Sequence, residues 1–587
     1  MWLRERLTRK HVVVGSAVIA MAIVILIFVA VRRPPRALLE RYAPATALIF
    51  IQADSLADLF DGFSETPAWR ELAPTLGLSE KMAGSSMMAG LIGRAGLGSD
   101  DVTIAARAQF AVVITNLLAK RSDDGESLQL RPHLALIVET HSSPELASRV
   151  SRERGAAFAR NVYGDSTVER TELYQGREIT TYQGPEPDRQ VVVAASESRI
   201  LIGNEAAAVK SCLDAIEGRA AALSGDRVLS RFGQAVERGA PIFGYVTESG
   251  VQNLLALAPA LLAGRISADP DSIASASNLF EHLSKQAASG LLYSAEFTGE
   301  GVSEKYLGVL RPQVASGLAA AMKAAPEADL ESPRIAPREL RGFTIWNVER
   351  VGEIPERALK QLTPALDTVA GLALREFVLD LRKTYGLDPV DSVGDFTGSE
   401  LAMLDFGDEQ PRALLLRATD QQRLYPAMLR YLKSGGAKAS TEEHNGVEIG
   451  VSSNEDSRAA AFISGFLVLA TREQVKRIID AHLAGEVLVA DDRFMRAAKS
   501  RPSNAPIFSY GVDTEDAAGL MLALSRAAGA GDGSPELLDQ ETVRAALEKL
   551  PASISFTHFR DSGIYIESRS AVGNLSVISS LLAGREE

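Results

Sequence analysis

Short phrases that recur in the same order, far apart in the chain, restrict this sequence more than any other feature. Thr171, Glu172, Gly176, Glu178 and Ile179 are matched by Thr441, Glu442, Gly446, Glu448 and Ile449. Val209-Lys210 and Asp214-Ala215 are matched by Val475-Lys476 and Asp480-Ala481, then Asp226-Arg227 by Asp492-Arg493. Last, Ala240-Pro241-Ile242-Phe243 and Tyr245 are matched by Ala505-Pro506-Ile507-Phe508 and Tyr510. The separation between partners shrinks only slightly along the series. A repeat this long is a whole domain rather than a solenoid unit, and it must be recognised before any fold is assigned. The expectation is a tandem duplication, with repeat 1 over residues 42–312 and repeat 2 over 338–580. Residues 313–337 between them, rich in alanine and carrying Pro326, Pro333 and Pro337, have the composition of a linker with some helix in it.

Hydropathy extends the correspondence. Strand-like runs at 47–51, 133–138 and 290–297 find partners at 343–348, 412–416 and 552–559. Each repeat also holds a hairpin followed by a helix. In the second, 460–463 and 466–469 flank Ser464-Gly465, a two-residue turn signal. Thr471 with Gln474 three residues on is a capping box, and Val475, Ile478, Ile479 and Leu483 share a helical face. In the first, 190–195 and 199–202 form the hairpin, Asn204 is the expected N-cap, and Val209, Cys212, Leu213 and Ile216 form the apolar face. A second helix is expected near 226–238 and 491–500, then a strand opening at Pro241 and Pro506, where a missing N–H is tolerated. The fold class is α+β, with antiparallel sheets packed on one side by helices.

Ahead of the repeats, after a short basic tail at 1–11, residues 12–31 run without a charge. Twenty residues at about 1.5 Å each cover about 30 Å, the thickness of a bilayer hydrocarbon core. The run is longer than the apolar region of a cleaved signal, and Ala30-Val31-Arg32-Arg33-Pro34-Pro35 is a poor cleavage site. The expectation is one uncleaved transmembrane anchor and a membrane partner through residues 12–31. Arg4, Arg6, Arg9 and Lys10 precede it, and Arg32, Arg33, Arg36 and Arg41 follow, so flanking charge does not orient it. A short basic N-terminus before a long domain places that domain outside the cytoplasmic membrane, in the periplasm or exterior.

Chemistry is sparse. The chain of 587 residues carries a net charge of -13, which repels phosphate backbones and excludes nucleic acid as a general partner. One cysteine, Cys212, allows neither an intramolecular disulfide nor a cysteine metal cluster and reads as a buried small residue. No Gly-Lys dipeptide, G-x-S-x-G elbow or H-E-x-x-H pair occurs. Gly90, Gly93, Gly96 and Gly98 do not spell a dinucleotide fingerprint. Asp123-Asp124 has a turn composition, Asp491-Asp492 stands at a helix start, and Asp269-Pro270-Asp271 lacks the rest of a calcium loop. His444 beside Glu442 and Glu443 is the most site-like histidine, but its counterpart is Tyr174. Phe243, Tyr245, Phe508 and Tyr510 fall on one strand face as expected core, or as the wall of a ligand groove. The short apolar segment 251–263 cannot span a bilayer and reads as an amphipathic or buried helix. No catalytic, cofactor-binding or metal residue is assigned, and no cofactor.

The phrase 466–481, Asp491-Asp492-Arg493-Phe494-Met495 and Pro506-Ile507-Phe508-Ser509-Tyr510 carry a resemblance to an uncharacterised bacterial family, catalogued as domain of unknown function thirty-three fifty-two. Gly386-Leu387-Asp388-Pro389, then 393–402, and Tyr42-Ala43-Pro44 before a strand also carry it. It implies a membrane-anchored envelope protein of unassigned activity and supplies no catalytic residue. The expected role is a non-enzymatic binding or scaffold module with a protein partner or ligand in the envelope. An envelope enzyme with a site assembled from scattered residues, or a cytoplasm-facing anchored assembly factor, is the alternative.

Overall fold

The computed structural model describes residues 36–574 apart from 77–103, 105, 122–127, 187–188, 257–284, 327–329, 385–392, 408–411, 434–435, 454–457, 513–516, 518 and 520–540. The 12–31 run lies outside the described residues, as do Gly90 to Gly98, Asp123-Asp124, Asp269-Pro270-Asp271, Gly386 to Pro389 and most of 251–263. Among the described residues no helix is long and apolar enough to cross a membrane.

The strands of the first half are β1 (Ile49–Ala53), β2 (Gln109–Arg121), β3 (Leu128–Glu139), β4 (Val168–Tyr174), β5 (Arg177–Gln183), β6 (Gln190–Ser196), β7 (Arg199–Gly203), β8 (Ile242–Val246), β9 (Ala288–Thr298) and β10 (Gly301–Leu310). Those of the second are β11 (Gly342–Asn347), β12 (Thr397–Asp405), β13 (Ala413–Ala418), β14 (Ala439–His444), β15 (Val447–Ser452), β16 (Arg458–Ile463), β17 (Phe466–Thr471), β18 (Ile507–Gly511), β19 (Ser553–Arg560) and β20 (Gly563–Ser570). All pair antiparallel in a single 20-stranded sheet.

Register gives the order. The first half runs β4-β5-β6-β7-β3-β2-β1-β8-β9-β10. The second runs β20-β19-β18-β11-β12-β13-β17-β16-β15-β14, the same connectivity read from the other end. The halves meet where β10 pairs β20, from Val302 opposite Ser570 to Val309 opposite Gly563. Smaller contacts repeat as well. Pro44 bridges Ala222 as Pro337 bridges Val487. Leu223 N donates to Ala43 O at 2.8 Å, and Leu488 N to Ala336 O at 2.9 Å. Ala37 N donates to Gln109 Oε1 at 2.6 Å, and Glu331 N to Glu400 Oε1 at 3.0 Å. Within the stretch 313–337, Ser332–Arg334 forms a single 3-10 turn and Pro337 bridges Val487.

Helices cover both faces of the sheet, which corrects the one-sided packing expected from sequence. Along β6, Val191 and Val193 meet Ala159 and Tyr182, beneath the helix Pro144–Tyr163. Val192 and Ala194 instead meet Val209 and Cys212 of the helix Ala206–Ile216. In the second half Ala460, Leu467 and Leu469 pack on the helix Gln421–Leu432. Ala459, Ala461 and Val468 pack on Arg472–Ala484. All six residues of β17 are buried. A continuous apolar run is the mark of a strand covered on both sides, and each large side chain so buried contributes about 1.5–3 kcal/mol.

Local signals operate largely as expected. Ser464 and Gly465 have φ of 44° and 83°, the pair of positive values a tight hairpin turn needs. The Thr471/Gln474 capping box is formed, and Gly485 ends that helix in the left-handed region. Asn204 is a correction. The N-cap position is Glu205, without a side-chain bond, and Asn204 instead accepts from Leu134 N at 2.9 Å and donates to Pro132 O at 2.8 Å. The amide is used to fasten β3, a longer-range demand that overrides the local cap. The aspartate match also shifts by one. Asp226 and Asp491, not Asp492, cap the helices Arg227–Phe232 and Asp492–Lys499.

The outermost strands are β4 and β14. β4 is exposed along nearly its whole length, and Glu169, Arg170 and Glu172 line it. Charge on a free edge discourages edge-to-edge pairing with a second chain.

Candidate functional site

His444 was the histidine most suggestive of a site, and the structure gives it a tethering position. Its Nε2 lies 2.7 Å from Asp480 Oδ1, which also accepts from Asn445 Nδ2 at 2.7 Å. At the matching point of the first half, Tyr174 OH donates to Asp214 Oδ2 at 2.9 Å. This bond and burial raise the Tyr174 phenol above its ordinary range. Beside each pair stands another, Lys210 with Glu172 at 2.7 Å and Lys476 with Glu442 at 3.4 Å. Arg472 adds a bond to Glu442 and holds that carboxyl below the usual carboxylate range. Histidine and tyrosine therefore serve one purpose in the two halves, fastening the tip of an edge hairpin to the helix beneath it. The sequence match at this point extends to contacts, although one partner residue changes type.

His482 is more like a reactive arrangement. Its Nδ1 faces Arg334 O at 3.1 Å, and its Nε2 faces Ser464 Oγ at 2.8 Å. A carbonyl only accepts, so Nδ1 carries a proton, and in the neutral ring Nε2 accepts from the serine hydroxyl. That is a serine with an oriented base. Ser464 nevertheless sits exposed on a hairpin turn, and neither residue lines the cavities described below. The group locks the β16–β17 turn to its helix and to the segment at Arg334.

Cys212 is buried and its thiol is pushed up to about 12 by desolvation. Thiolate is the reactive form, so Cys212 should resist alkylation by iodoacetamide in the folded protein and react once denaturant is added. Rapid native labelling at neutral pH would contradict this packing. Among the described residues no group of three His, Cys, Asp or Glu side chains is placed to hold a metal ion. Phe243, Tyr245, Phe508 and Tyr510 are buried, which is the core reading of that strand face. Tyr245 OH donates to Asp226 Oδ1 at 2.8 Å, tying the aromatic core to the capping aspartate.

Several cavities open on the surface. One, of about 480 Å³, lies between the helix Pro144–Tyr163 and the strands β5 and β6, with Glu145, Arg152 and Arg177 among its lining. Another, of about 530 Å³, lies under Arg334 and Phe494. The largest of those described, about 770 Å³, stands at one end of the β10–β20 seam. Its lining includes Arg227 and Arg231 from the first half and Arg560 and Asp561 from the second, over Phe232 and Val309. Arg227 and Arg231 stand one turn apart on the helix Arg227–Phe232, whereas Arg560 is more than 300 residues further along the chain. No local motif announces the cluster, and only the pairing of β10 with β20 brings Arg560 to the other two.

No known protein family, characterised protein or solved structure matches the chain.

Proposed function

We propose that the chain is a single-pass, membrane-anchored envelope protein of the bacterial family named above, without enzymatic activity. On this reading it is a binding or scaffold module built from two copies of one unit. The observation that carries the reading is the repeated connectivity of the two halves, together with the matched tethers Tyr174–Asp214 and His444–Asp480. Repetition of so many independent details is the outcome expected of a duplicated unit. The anchor rests on the length and apolar character of residues 12–31. A duplicated body that is mostly core and charged surface suits presentation of two like surfaces. The Ser464–His482 pair favours the enzymatic alternative and is the point at which that alternative is tested.

The first test is topology and partner capture from membranes. A C-terminal alkaline phosphatase fusion is expected to be active and a cytoplasmic reporter at the same position silent. The opposite pattern overturns the exported orientation. Co-purification from solubilised membranes should then recover the same partner with the intact chain and with residues 1–35 deleted. Arg36 is kept because its Nε bonds Asp54 at 2.6 Å and its Nη2 bonds Ala240 O at 3.0 Å. Loss of the partner with the deletion would move recognition to the anchor. Activity on ester substrates that disappears in S464A and H482Q would replace the scaffold reading with the enzymatic one.

A further inference from the structure

The cavity at the end of the seam has a charge that its surroundings do not explain. The chain as a whole is acidic, at -13, yet three guanidiniums gather here around a single carboxylate, Asp561. None of Arg227, Arg231 and Arg560 enters an ion pair among the described residues. Two are held by stacking instead. Arg560 lies 3.7 Å from the centroid of the Tyr565 ring, and Arg231 lies 4.9 Å from that of Phe232. Stacking fixes a guanidinium plane while leaving its N–H edges free for an acceptor. The ten-residue helix Pro312–Ala321 adds its positive end, since Pro312 and Ser316 also line the cavity.

The opposite end of the seam is the internal control. There the turn between β9 and β10 places Glu300 where the β19–β20 turn has Ser562, and Glu300 pairs with Arg569. Arg493, on the matching helix, donates to Glu548 O at 3.2 Å. The same position in the fold is thus neutralised at one end and left cationic at the other. The seam itself does not require the charge.

We infer that this cavity binds a phosphate monoester bearing an apolar substituent. Three arginines against one aspartate leave two positive charges, matching a phosphate dianion that forked guanidiniums grip in pairs of bonds. Phe232, Val309 and Leu310 offer the apolar substituent a floor. The inference deepens the binding-module reading and rests on it only for its purpose. Both a soluble phosphoester and the head of a phosphatidic acid have this chemistry.

Phenyl phosphate titrated against the full chain in a non-ionic detergent, followed by phosphorus NMR line broadening and equilibrium dialysis, tests it. Saturable binding is expected at one site. It should weaken about tenfold or more in R231Q/R560Q, stay unchanged in R569Q, and fall as salt is raised. R231K/R560K, which keeps the charge but not the fork, should lie between. Thermal midpoints of all variants show that folding is kept. Displacement of phenyl phosphate by dihexanoyl phosphatidic acid assigns the lipid source, and binding that it does not displace assigns the soluble one. No saturable binding, or equal binding in R231Q/R560Q, overturns the inference. Partner capture by R231Q/R560Q is read separately. Its loss while a partner is still bound by the wild type ties the cavity to recognition, and a chain that captures no partner but binds phenyl phosphate refutes the scaffold reading alone.

Discussion

Gly563→Ala is expected to destabilise the protein by about 2–6 kcal/mol, through one added methyl group at the seam. Gly563 has φ of 135°, a region that L residues rarely enter, and its Cβ would stand 2.0 Å from Gly308 O. The backbone conformation costs about 1–3 kcal/mol and the forced shift about 1–3 kcal/mol more. Neither can be relieved by turning a side chain, because the atoms met are backbone of β10. Gly301, at the other end, is held the same way at φ of 127° with its Cβ position 2.2 Å from Ser570 O. Gly176→Ala is the comparison. It also has positive φ, 84°, but nothing lies within 4 Å of the new methyl, so only the conformational cost of about 1 kcal/mol applies. Urea denaturation should show a large fall in midpoint for Gly563→Ala, a small one for Gly176→Ala, and a transition that divides in two for the first as the halves uncouple. Equal midpoints for the two variants would mean that the seam does not bind the halves together.

The second large effect is expected at Glu304, a carboxylate that is 3% exposed in the middle of the seam. Tyr293 OH donates to it at 2.6 Å, and Asn574 N donates at 3.0 Å. Asn574 Nδ2 in turn donates to Tyr306 OH. Burial, and then the carboxylate, hold both phenols well above their ordinary range. Glu304→Ala would leave the Tyr293 phenol without its acceptor, at about 1–3 kcal/mol, and remove the bond from the exposed Asn574, worth about 0.5–1.5 kcal/mol, a loss of about 1.5–4.5 kcal/mol in all. Glu304→Gln keeps an acceptor and should lose much less. The ordering Ala worse than Gln, read from urea midpoints, is the diagnostic. Equal losses would show that the charge matters and the hydrogen bonds do not.

Legibility of this fold in its sequence followed the range of the forces. Turns and caps were visible where they are local, as at Ser464-Gly465 and Thr471 with Gln474. The hairpin and helix units were visible because apolar residues repeat at strand and helix spacing. Asn204 departs from the expected cap because its amide answers β3, some seventy residues away. The runs Val191 to Ala194 and Phe466 to Leu469 did state that both faces were covered, but a period-two reading discards that information. Pro333 and Pro337 look like linker residues by composition, and only the bridge to Val487 makes Pro337 part of a unit. The seam left no trace at all. Pairing of β10 with β20 joins residues more than 250 apart, and such a ladder imposes no pattern on either strand beyond that of any half-buried strand. The arginine cavity inherits that invisibility.

Joining the halves by a ladder rather than a tether also sets a length. Nineteen successive pairings lie between β4 and β14, and at about 4.8 Å each the sheet measures about 90 Å along its contour. The two edge hairpins are therefore the tips of a beam, each clamped to its own helix by the Tyr174 or His444 contact. A flexible joint would let the tips search for targets at any spacing. A continuous sheet fixes the interval, so under the proposed binding role only a partner whose own sites are spaced to match would engage both tips and gain from the second engagement. On the proposed binding-module reading, the backbone bonds of β10 and β20 would then act as a gauge, adding a selectivity for distance to that for any chemical group.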